Sequence, residues 1–270
     1  MKKELVAEQI GVIGCGWLGM PLAQHLVQSG YKVKGTTTTE SKLAKLEALG
    51  IKGYAITITE EGVHGPIEHF LEGLSTVFIN IPPRLRKDPS GNYTKKISFL
   101  LDKITESNVS YVLFASSTAV YGNAEGTVNE DSPVTPSTAS GKQLVACEEM
   151  LSSNINFTSC IIRFAGLIGN DRHPITTLSK KGEVANGNHP INLIHLDDCI
   201  SLVHYLISNQ CSGIYNAVDD AHPSKKEYYT QMAISRQLPI PSFIENDKEK
   251  GKLITSNRTN LIKYMGISHI

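Results

Sequence analysis

Short apolar runs alternate with amphipathic segments along most of the chain. Uninterrupted apolar runs predict buried strands, and apolar residues at three- and four-residue spacing predict helices. Strands that alternate with helices are typical of a parallel sheet covered by helices. The predicted strands are 10–13, 31–36, 53–58, 76–81, 110–115, 157–164, 191–195 and 213–218. The predicted helices are 18–29, 41–49, 63–71, 93–107, 140–151, 196–208 and 224–237, with a loop over 123–137 and a solvated charge run over 248–252.

Three glycines follow the first apolar run, at Gly14, Gly16 and Gly19. This G-x-G-x-x-G spacing between a predicted strand and a predicted helix indicates dinucleotide binding. Gly14 allows the tight turn, Gly16 lets the backbone approach a pyrophosphate, and Gly19 lets the helix lie close to the strand. Trp17 and Leu18 belong to the same turn, where the amino end of the helix directs its N–H groups at phosphates. The alternative is a glycine turn with a structural role only.

The end of the second strand predicts which dinucleotide is preferred. A carboxylate there would bind the ribose 2′-hydroxyl of NAD. The segment instead carries four threonines, among them Thr36 and Thr37, and its first acid is Glu40. Hydroxyls and the ammonium of Lys42 can bind a 2′-phosphate, so NADP is the predicted cofactor and NAD the alternative. A solvated strand end that caps the next helix also explains the threonines.

Two further strand ends supply candidate residues, because ligands of open α/β sheets bind at the carboxyl ends of strands. The fourth apolar run leads into Ile81 and Pro82, which are predicted to contact the cofactor. The fifth leads into a hydroxyl cluster, Ser116 to Thr118, which would face the nicotinamide. In the helix that follows, Glu148 is predicted to point outward.

Composition narrows the function classes. The formal net charge of the 270 residues is zero, which gives no electrostatic footprint for nucleic acid or an anionic membrane. No apolar run approaches the ~18 residues of a membrane span, and no signal-peptide core follows the amino terminus. Five cysteines without a CxxC pair indicate reduced thiols, so a cytoplasmic protein is expected.

At the level of motifs, the chain resembles the NAD-dependent epimerase/dehydratase group of the extended short-chain dehydrogenase/reductase superfamily. The resemblance rests on the glycine turn, SSTAVYG at 116–122, KQL at 142–144 with Glu148, RFAGLIG at 163–169, IHLDD at 194–198 and GIYN at 213–216. It implies an α/β doubly wound (Rossmann) sheet with a small carboxyl-terminal substrate lobe. The expected division is a dinucleotide-binding core over 1–165 and a carboxyl-terminal part, 166–270, that holds the lobe and returning sheet elements.

The catalytic motif departs from that family. Members usually carry Tyr-x-x-x-Lys, in which the tyrosine transfers a proton and the lysine lowers its pKa and binds ribose. Lys142 is present here, but Thr138 occupies the tyrosine position, and its hydroxyl is too weak an acid to replace a phenol. Ile13 also stands where extended members tend to have the first glycine of their turn. The chain is therefore similar to the atypical branch of the superfamily.

The resemblance assigns catalytic roles to Ser117, Tyr121 and Lys142. Ser117 would hydrogen-bond a substrate hydroxyl or carbonyl, or else only cap the strand end. Tyr121 would offer a phenol in place of the lost one, or serve as a packing residue. Lys142 would keep its ribose contact, or be a solvated helix lysine.

Candidate substrate residues lie in the carboxyl-terminal part. Arg172 and His173 follow a predicted strand and would bind an anionic group such as a sugar-nucleotide phosphate; ordinary loop residues are the alternative. Arg258 is a further phosphate candidate. The aspartates at 197 and 198 are interpreted as a helix start and not as metal ligands, since no complete zinc-type spacing is present.

Two functions follow from these observations. The first is an NAD(P)-dependent oxidoreductase or epimerase-like enzyme for a small polar, perhaps nucleotide-sugar, substrate. The second is a non-catalytic NADP(H) sensor or interaction module, which Thr138 favours. Neither involves nucleic acid, a membrane or a metal, and the resemblance is compatible with a homodimer.

Overall fold

The computed structural model describes residues 8–85, 88–169, 171–245, 248 and 250–258. The strands in this part of the chain are β1 (Gln9–Ile13), β2 (Lys32–Thr37), β3 (Lys52–Ala55), β4 (Thr57–Ile58), β5 (Val63–His64), β6 (Thr76–Ile79), β7 (Tyr111–Ser117), β8 (Gly126–Val128), β9 (Thr158–Phe164), β10 (Gly166–Ile168), β11 (Glu183–Ala185), β12 (Leu193–His195), β13 (Gly213–Ala217), β14 (Ser242–Ile244) and β15 (Lys252–Ile254). The α-helices are α1 (Gly19–Gln28), α2 (Leu43–Ala48), α3 (Ile67–Leu71), α4 (Tyr93–Thr105), α5 (Ala139–Ser152), α6 (Ile175–Lys181), α7 (Leu196–Ser208) and α8 (Lys225–Ser235).

A seven-stranded parallel sheet forms the centre of the fold, in the order β13-β9-β7-β6-β1-β2-β3. Its middle strands, β1 and β6, are almost wholly buried, as their apolar runs predict. The predicted α/β doubly wound sheet is therefore confirmed. Because β1 is parallel to both β2 and β6, and β6 to β7, the carboxyl ends of these four strands share one edge. The candidate cofactor residues of the glycine turn, of the end of β2 and of the loop after β6 lie at this edge.

The chain divides into two compact units. The first contains the described residues up to 116 together with 142–162 and 202–214. The second contains 117–141, 163–201 and the described chain from 215 onward. The second unit has its own apolar cluster, in which Tyr228, Tyr229 and Ala233 of α8 pack with Ile175 of α6. Parallel pairs β8–β15, β10–β12 and β11–β14 complete it.

Two of the predicted segments that differ from the structure show why local patterns are insufficient. The helix predicted over 63–71 begins only at Ile67, because Val63 and His64 pair with β4 as an antiparallel hairpin. Gly65 ends this hairpin at φ +104°, and a Cβ there would lie 2.3 Å from the carbonyl oxygen of Ala55. The loop predicted over 123–137 contains β8, whose partner β15 lies more than a hundred residues later and leaves no local signal.

Candidate functional site

The glycine turn between β1 and α1 has the conformation that its sequence predicts. Gly14 has φ +98°, and a Cβ there would lie 2.6 Å from the carbonyl oxygen of Asn80. A Cβ at Gly19 would lie 2.2 Å from the carbonyl oxygen of Gly14. A Cβ at Gly16, by contrast, would meet no described heavy atom within 4 Å beyond its chain neighbours. The fold therefore requires two of the glycines, whereas Gly16 borders open space.

The amino end of α1 is suited to an anion. No described side chain caps it, and its first turn holds no acidic residue. The first N–H groups of a helix lack partners within the helix, and phosphate oxygens are acceptors that satisfy them. Leu18 is buried beneath this end, and Trp17 is half-buried beside it.

The two threonines predicted to bind the 2′-phosphate are buried, with 3% and 8% of Thr36 and Thr37 exposed. Thr36 Oγ1 accepts a hydrogen bond of 2.9 Å from the N–H of Gly14. Thr37 Oγ1 accepts one of 3.2 Å from the N–H of Thr39. Both hydroxyls thus support neighbouring backbone. The exposed positions after β2 are Thr38, Thr39, Glu40, Ser41 and Lys42.

The loop after β6 lies against the glycine turn. The Ile81 side chain comes within 3.6 Å of the position that a Gly14 Cβ would take, and Pro82 beside it is exposed. The hydroxyl of Tyr93, at the start of α4, donates to the Ile81 carbonyl at 2.7 Å. Tyr93 is itself buried, and burial raises its pKa well above the usual range. This contact holds the backbone of the loop in place.

The carboxylate of Glu148, on α5, is buried against the end of β7, although the helical pattern predicts that it is exposed. Glu148 of α5 is 5% exposed, and it accepts a hydrogen bond from the Ser116 hydroxyl. The prediction that Glu148 points outward is therefore wrong. Leu144, one turn earlier on the same face, is buried as well and was the available signal.

Lys142 lies on a different face of α5. It precedes Glu148 by six positions, which places the two about 120° apart around the helix. Lys142 is exposed, and its neighbour Gln143 accepts hydrogen bonds from the first N–H groups of α4. This arrangement fits the alternative of a solvated helix lysine, and the ribose contact stays a prediction.

Thr138, at the position of the usual tyrosine, caps α5. Its Oγ1 accepts a 3.1 Å hydrogen bond from the N–H of Gly141, three residues later. A threonine in that place satisfies a free helix donor, as N-cap residues do. The helix thus begins immediately after the position at which the family that the chain resembles usually carries a tyrosine.

Ser117 ends β7 and begins a 3-10 turn, Thr118–Tyr121. Its Oγ accepts a 3.2 Å hydrogen bond from the N–H of Ala119. The same turn receives Lys252 of β15, whose ammonium donates to the carbonyls of Thr118 (3.3 Å) and Gly122 (2.8 Å). Burial lowers the pKa of Lys252. The expectation of a solvated Lys252 is wrong, since the sequence pattern does not reveal these distant carbonyls.

Tyr121 is fully buried in a polar network. Its hydroxyl donates to Asn216 Oδ1 at 2.8 Å and accepts from Arg163 at 2.9 Å. The guanidinium also lies 5.0 Å from the ring centroid. Burial raises the pKa of Tyr121, although Arg163 and Asn216 oppose the effect. The geometry supports the packing alternative for Tyr121, because its hydroxyl already donates to Asn216 and accepts from Arg163.

The network continues to Glu130 and the last described segment. Glu130, 7% exposed, accepts hydrogen bonds from the N–H groups of Asn216 (2.8 Å) and Asn257 (3.0 Å) and from the Ser256 hydroxyl. The predicted phosphate ligand Arg258 follows directly. It is exposed, and its guanidinium lies 3.8 Å from a carboxylate oxygen of Asp131.

Arg172 and His173 are adjacent in sequence but differ in environment. Arg172 is exposed and forms a short backbone bridge with Gly169. His173 is buried; its Nδ1 accepts from the N–H of Ile175 (3.2 Å), so its Nε2 donates to the Tyr228 hydroxyl (3.0 Å). Desolvation, aided by the charge of Arg236, lowers the pKa of His173 to about 4. His173 is therefore a neutral core residue.

The remaining candidate ligands start a helix. His195 Nδ1 accepts a 3.3 Å hydrogen bond from the N–H of Asp197 in the first turn of α7. The described residues contain no group of three or more His, Cys, Asp or Glu side chains that could hold a metal ion. Nor is any helix in these ranges both long and apolar enough to span a bilayer.

Comparison with known proteins places this geometry among dinucleotide-binding folds. A family model for the NAD binding domain of 6-phosphogluconate dehydrogenase matches residues 9–84, from β1 into the loop after β6. Protein YeeZ of Escherichia coli K12 is 34% identical over 254 residues, which cover 93% of this chain and 92% of that protein. An epimerase family protein, the chloroplastic SDR39U1 homolog of Arabidopsis thaliana, is 25% identical over 84% of this chain and 72% of its own.

Among solved structures, the UDP-glucuronic acid 4-epimerase of Bacillus cereus in complex with NAD superimposes with a TM-score of 0.77. The two sequences are 18% identical, and the superposition covers 95% of this chain and 90% of the epimerase chain. At that identity the similarity concerns the fold. The predicted resemblance to the NAD-dependent epimerase/dehydratase group is confirmed by these comparisons.

Proposed function

This chain belongs to the same family as Protein YeeZ, and from that premise we propose that it binds a nicotinamide dinucleotide at the glycine turn and acts as an epimerase/dehydratase-like oxidoreductase. The observation that carries the proposal is the open space at Gly16 beside the uncapped amino end of α1. A pyrophosphate lies in such a position in dinucleotide sites. Trp17, Leu18, Ile81 and Pro82 line the same edge of the sheet.

NADP is the proposed form of the cofactor. The exposed segment after β2 offers hydroxyls at Thr38, Thr39 and Ser41 and the ammonium of Lys42. A 2′-phosphate is bound by such groups, whereas Glu40 is the one carboxylate among them. Thr36 and Thr37 support this segment from within, since their hydroxyls already hold backbone N–H groups.

The substrate side is proposed to be organised around Ser117. When bound, the nicotinamide exchanges a hydride with a substrate carbon. Ser117 would orient the substrate hydroxyl or carbonyl, and water would exchange the proton, because the Tyr121 hydroxyl is enclosed by Arg163 and Asn216. The carboxyl-terminal part from residue 166 would supply the substrate lobe. The exposed guanidiniums of Arg172 and Arg258 suit an anionic group such as the diphosphate of a nucleotide-sugar.

A second function, a non-catalytic NADP(H) sensor, is favoured by one observation. Thr138 is used as a helix cap, so the position that usually supplies the phenol has a structural role instead. Binding would be retained in such a protein and turnover would not.

The experiment that decides between the two compares Ser117→Ala with Ser224→Ala. Both hydroxyls accept a 3.2 Å hydrogen bond from a backbone N–H, at a turn and at the start of α8. Each substitution therefore costs about 1 kcal/mol of stability. Turnover is followed with UDP-glucose, UDP-glucuronic acid and related sugars, both as net reduction of NADP⁺ at 340 nm and as conversion of the sugar by chromatography, because an epimerase returns the hydride and leaves no net reduction. An enzyme loses turnover in Ser117→Ala alone, with cofactor affinity unchanged. Equal turnover in both variants contradicts the role of Ser117, and no turnover in any form supports the sensor.

A further inference from the structure

Two side chains hold Gly14, the first glycine of the turn, through its N–H and its carbonyl. The N–H of Gly14 donates to Thr36 Oγ1 at 2.9 Å, and the carbonyl of Gly14 accepts from Asn80 Nδ2 at 3.1 Å. We infer that Thr36 and Asn80 form a bracket that fixes the glycine turn in the shape that receives the dinucleotide. This inference deepens the proposed function and rests on it. Thr36 and Asn80 are positioning residues, because they act on the dinucleotide through the backbone of Gly14.

The Thr36 arm of the bracket follows from the pairing of β1 with β2. Val12 lies opposite Gly35, so Thr36 comes level with the end of β1. The carbonyl of Thr36 also accepts a 2.9 Å hydrogen bond from the N–H of Cys15. One residue thus receives two successive N–H groups of the turn, one on its side chain and one on its backbone. The hydroxyl is buried, so water does not compete for the bond.

The Asn80 arm follows from the pairing of β1 with β6. Ile13 lies opposite Ile79, which brings Asn80 beside Gly14. The N–H of Asn80 donates to the carbonyl of Ile13 at 2.8 Å. Its side-chain amide reaches the Gly14 carbonyl and lies 3.0 Å from where a Gly19 Cβ would be. Asn80 therefore bonds the first glycine of the turn and occupies space that a side chain at the last glycine would need.

Such a bracket is required by the conformation of the turn. Gly14 at φ +98° has no Cβ to restrict it, and a glycine visits many backbone conformations. Restricting the turn before binding removes an ordering cost that the ligand would otherwise meet. The Gly14 carbonyl also accepts a 2.8 Å hydrogen bond from the N–H of Gly16. The bracket thus restricts the backbone up to Gly16 without filling the open space beside that glycine.

The test measures NADPH affinity in Thr36→Val and Asn80→Leu. Trp17, the one tryptophan of the chain, lies within the turn and reports binding by energy transfer to NADPH. The loss of one preorganising hydrogen bond should raise the Kd about tenfold in each variant. Thr36→Ser keeps the hydroxyl and should restore wild-type affinity.

The matched control is Thr76→Val. Thr76 is a buried threonine at the opposite end of β6, and its hydroxyl donates to Glu8 at 3.0 Å. It should lose thermal stability as Thr36→Val does, with unchanged Kd, since it does not touch the turn. Equal Kd values in wild type, Thr36→Val and Asn80→Leu would overturn the bracket alone.

Two results separate failure of the bracket from failure of the proposed function. If wild type binds neither NADPH nor NADH, the proposed function falls and the role of the bracket falls with it. If a variant does not fold, amide exchange of wild type without cofactor decides: the bracket requires a protected Gly14 N–H, and rapid exchange there would overturn it.

Discussion

The glycine turn and the Ser117 turn are both built at the carboxyl end of a parallel strand, and each uses one hydroxyl to hold backbone. Thr36 accepts from Gly14 in the first, and Ser117 accepts from Ala119 in the second. They differ in what lies beside them. The first borders open space at Gly16. The second is followed by Tyr121, which is enclosed by partners in its own unit.

This difference shows which of the expected structural features the chain contains. The cofactor half keeps its glycines, its uncapped helix end and the support of two neighbouring strands. In the catalytic half, the usual phenol position is a helix cap, and the nearest tyrosine is a buried hydrogen-bond partner. Resemblance of motifs therefore predicts a binding site more securely than it predicts a reaction.

The largest effect, on NADPH affinity, is expected from a substitution that fills the open space at Gly16. Gly16→Val places a side chain where the structure has no described atom within 4 Å of the Cβ, so the free energy of unfolding should change by less than about 0.5 kcal/mol. A side chain there would exclude a pyrophosphate, so the Kd for NADPH should rise roughly a thousandfold, about 4 kcal/mol. Tryptophan fluorescence titration and urea unfolding measure the two quantities.

Gly19→Ala provides the opposite case within the same turn. Its Cβ would lie 2.2 Å from a carbonyl oxygen, so about 3 kcal/mol of stability should be lost. The comparison fails if Gly16→Val destabilises the fold as much as Gly19→Ala does, or if it binds NADPH normally.

The next largest effect is expected from acid, which should lower the free energy of unfolding through the buried side chain of His173. His173 has a pKa of about 4 in the folded chain and about 6.5 when unfolded. The unfolded chain binds more protons between these values, so the contribution of His173 is present above pH 6.5 and is lost as the pH falls toward 4, by up to about 3 kcal/mol. Urea unfolding at pH 7 and pH 4 measures this loss. His173→Gln should lose less stability over that interval, and an identical loss in both forms would contradict a buried neutral His173.

A smaller loss of stability is expected from Tyr121→Phe, which tests whether Tyr121 is a packing residue or a proton donor. Tyr121→Phe removes a buried hydroxyl that accepts from Arg163 and donates to Asn216, so about 2 kcal/mol of stability should be lost. The pH dependence of any turnover should stay unchanged, since the phenol is not the proton donor in this account. Loss of turnover with full stability would instead assign proton transfer to Tyr121.

Local patterns predicted most of the parallel sheet and the glycine turn, because apolar runs and glycine spacing act over a few residues. They failed where the partner lies far along the chain. Lys252 carries no sign of the carbonyls 130 and more residues earlier that it binds. Glu148 is buried because Ser116 satisfies it, and a helical pattern assigns charged residues to solvent by default. The sequence selected Thr36 because it lies at the end of the second predicted strand. Its hydrogen bond to Gly14, however, depends on the register of β1 against β2, which a local pattern does not give.

The most direct measurement of the central claim is a titration of the wild-type protein with NADPH and, separately, NADH, observed through energy transfer from Trp17. The account predicts saturable binding of both, tighter for NADPH, because hydroxyls and Lys42 follow β2 where a carboxylate would favour NAD. Equal affinities would remove the preference for NADP and leave the site standing. No binding of either dinucleotide would contradict the account, because the glycine turn would then have a structural role only.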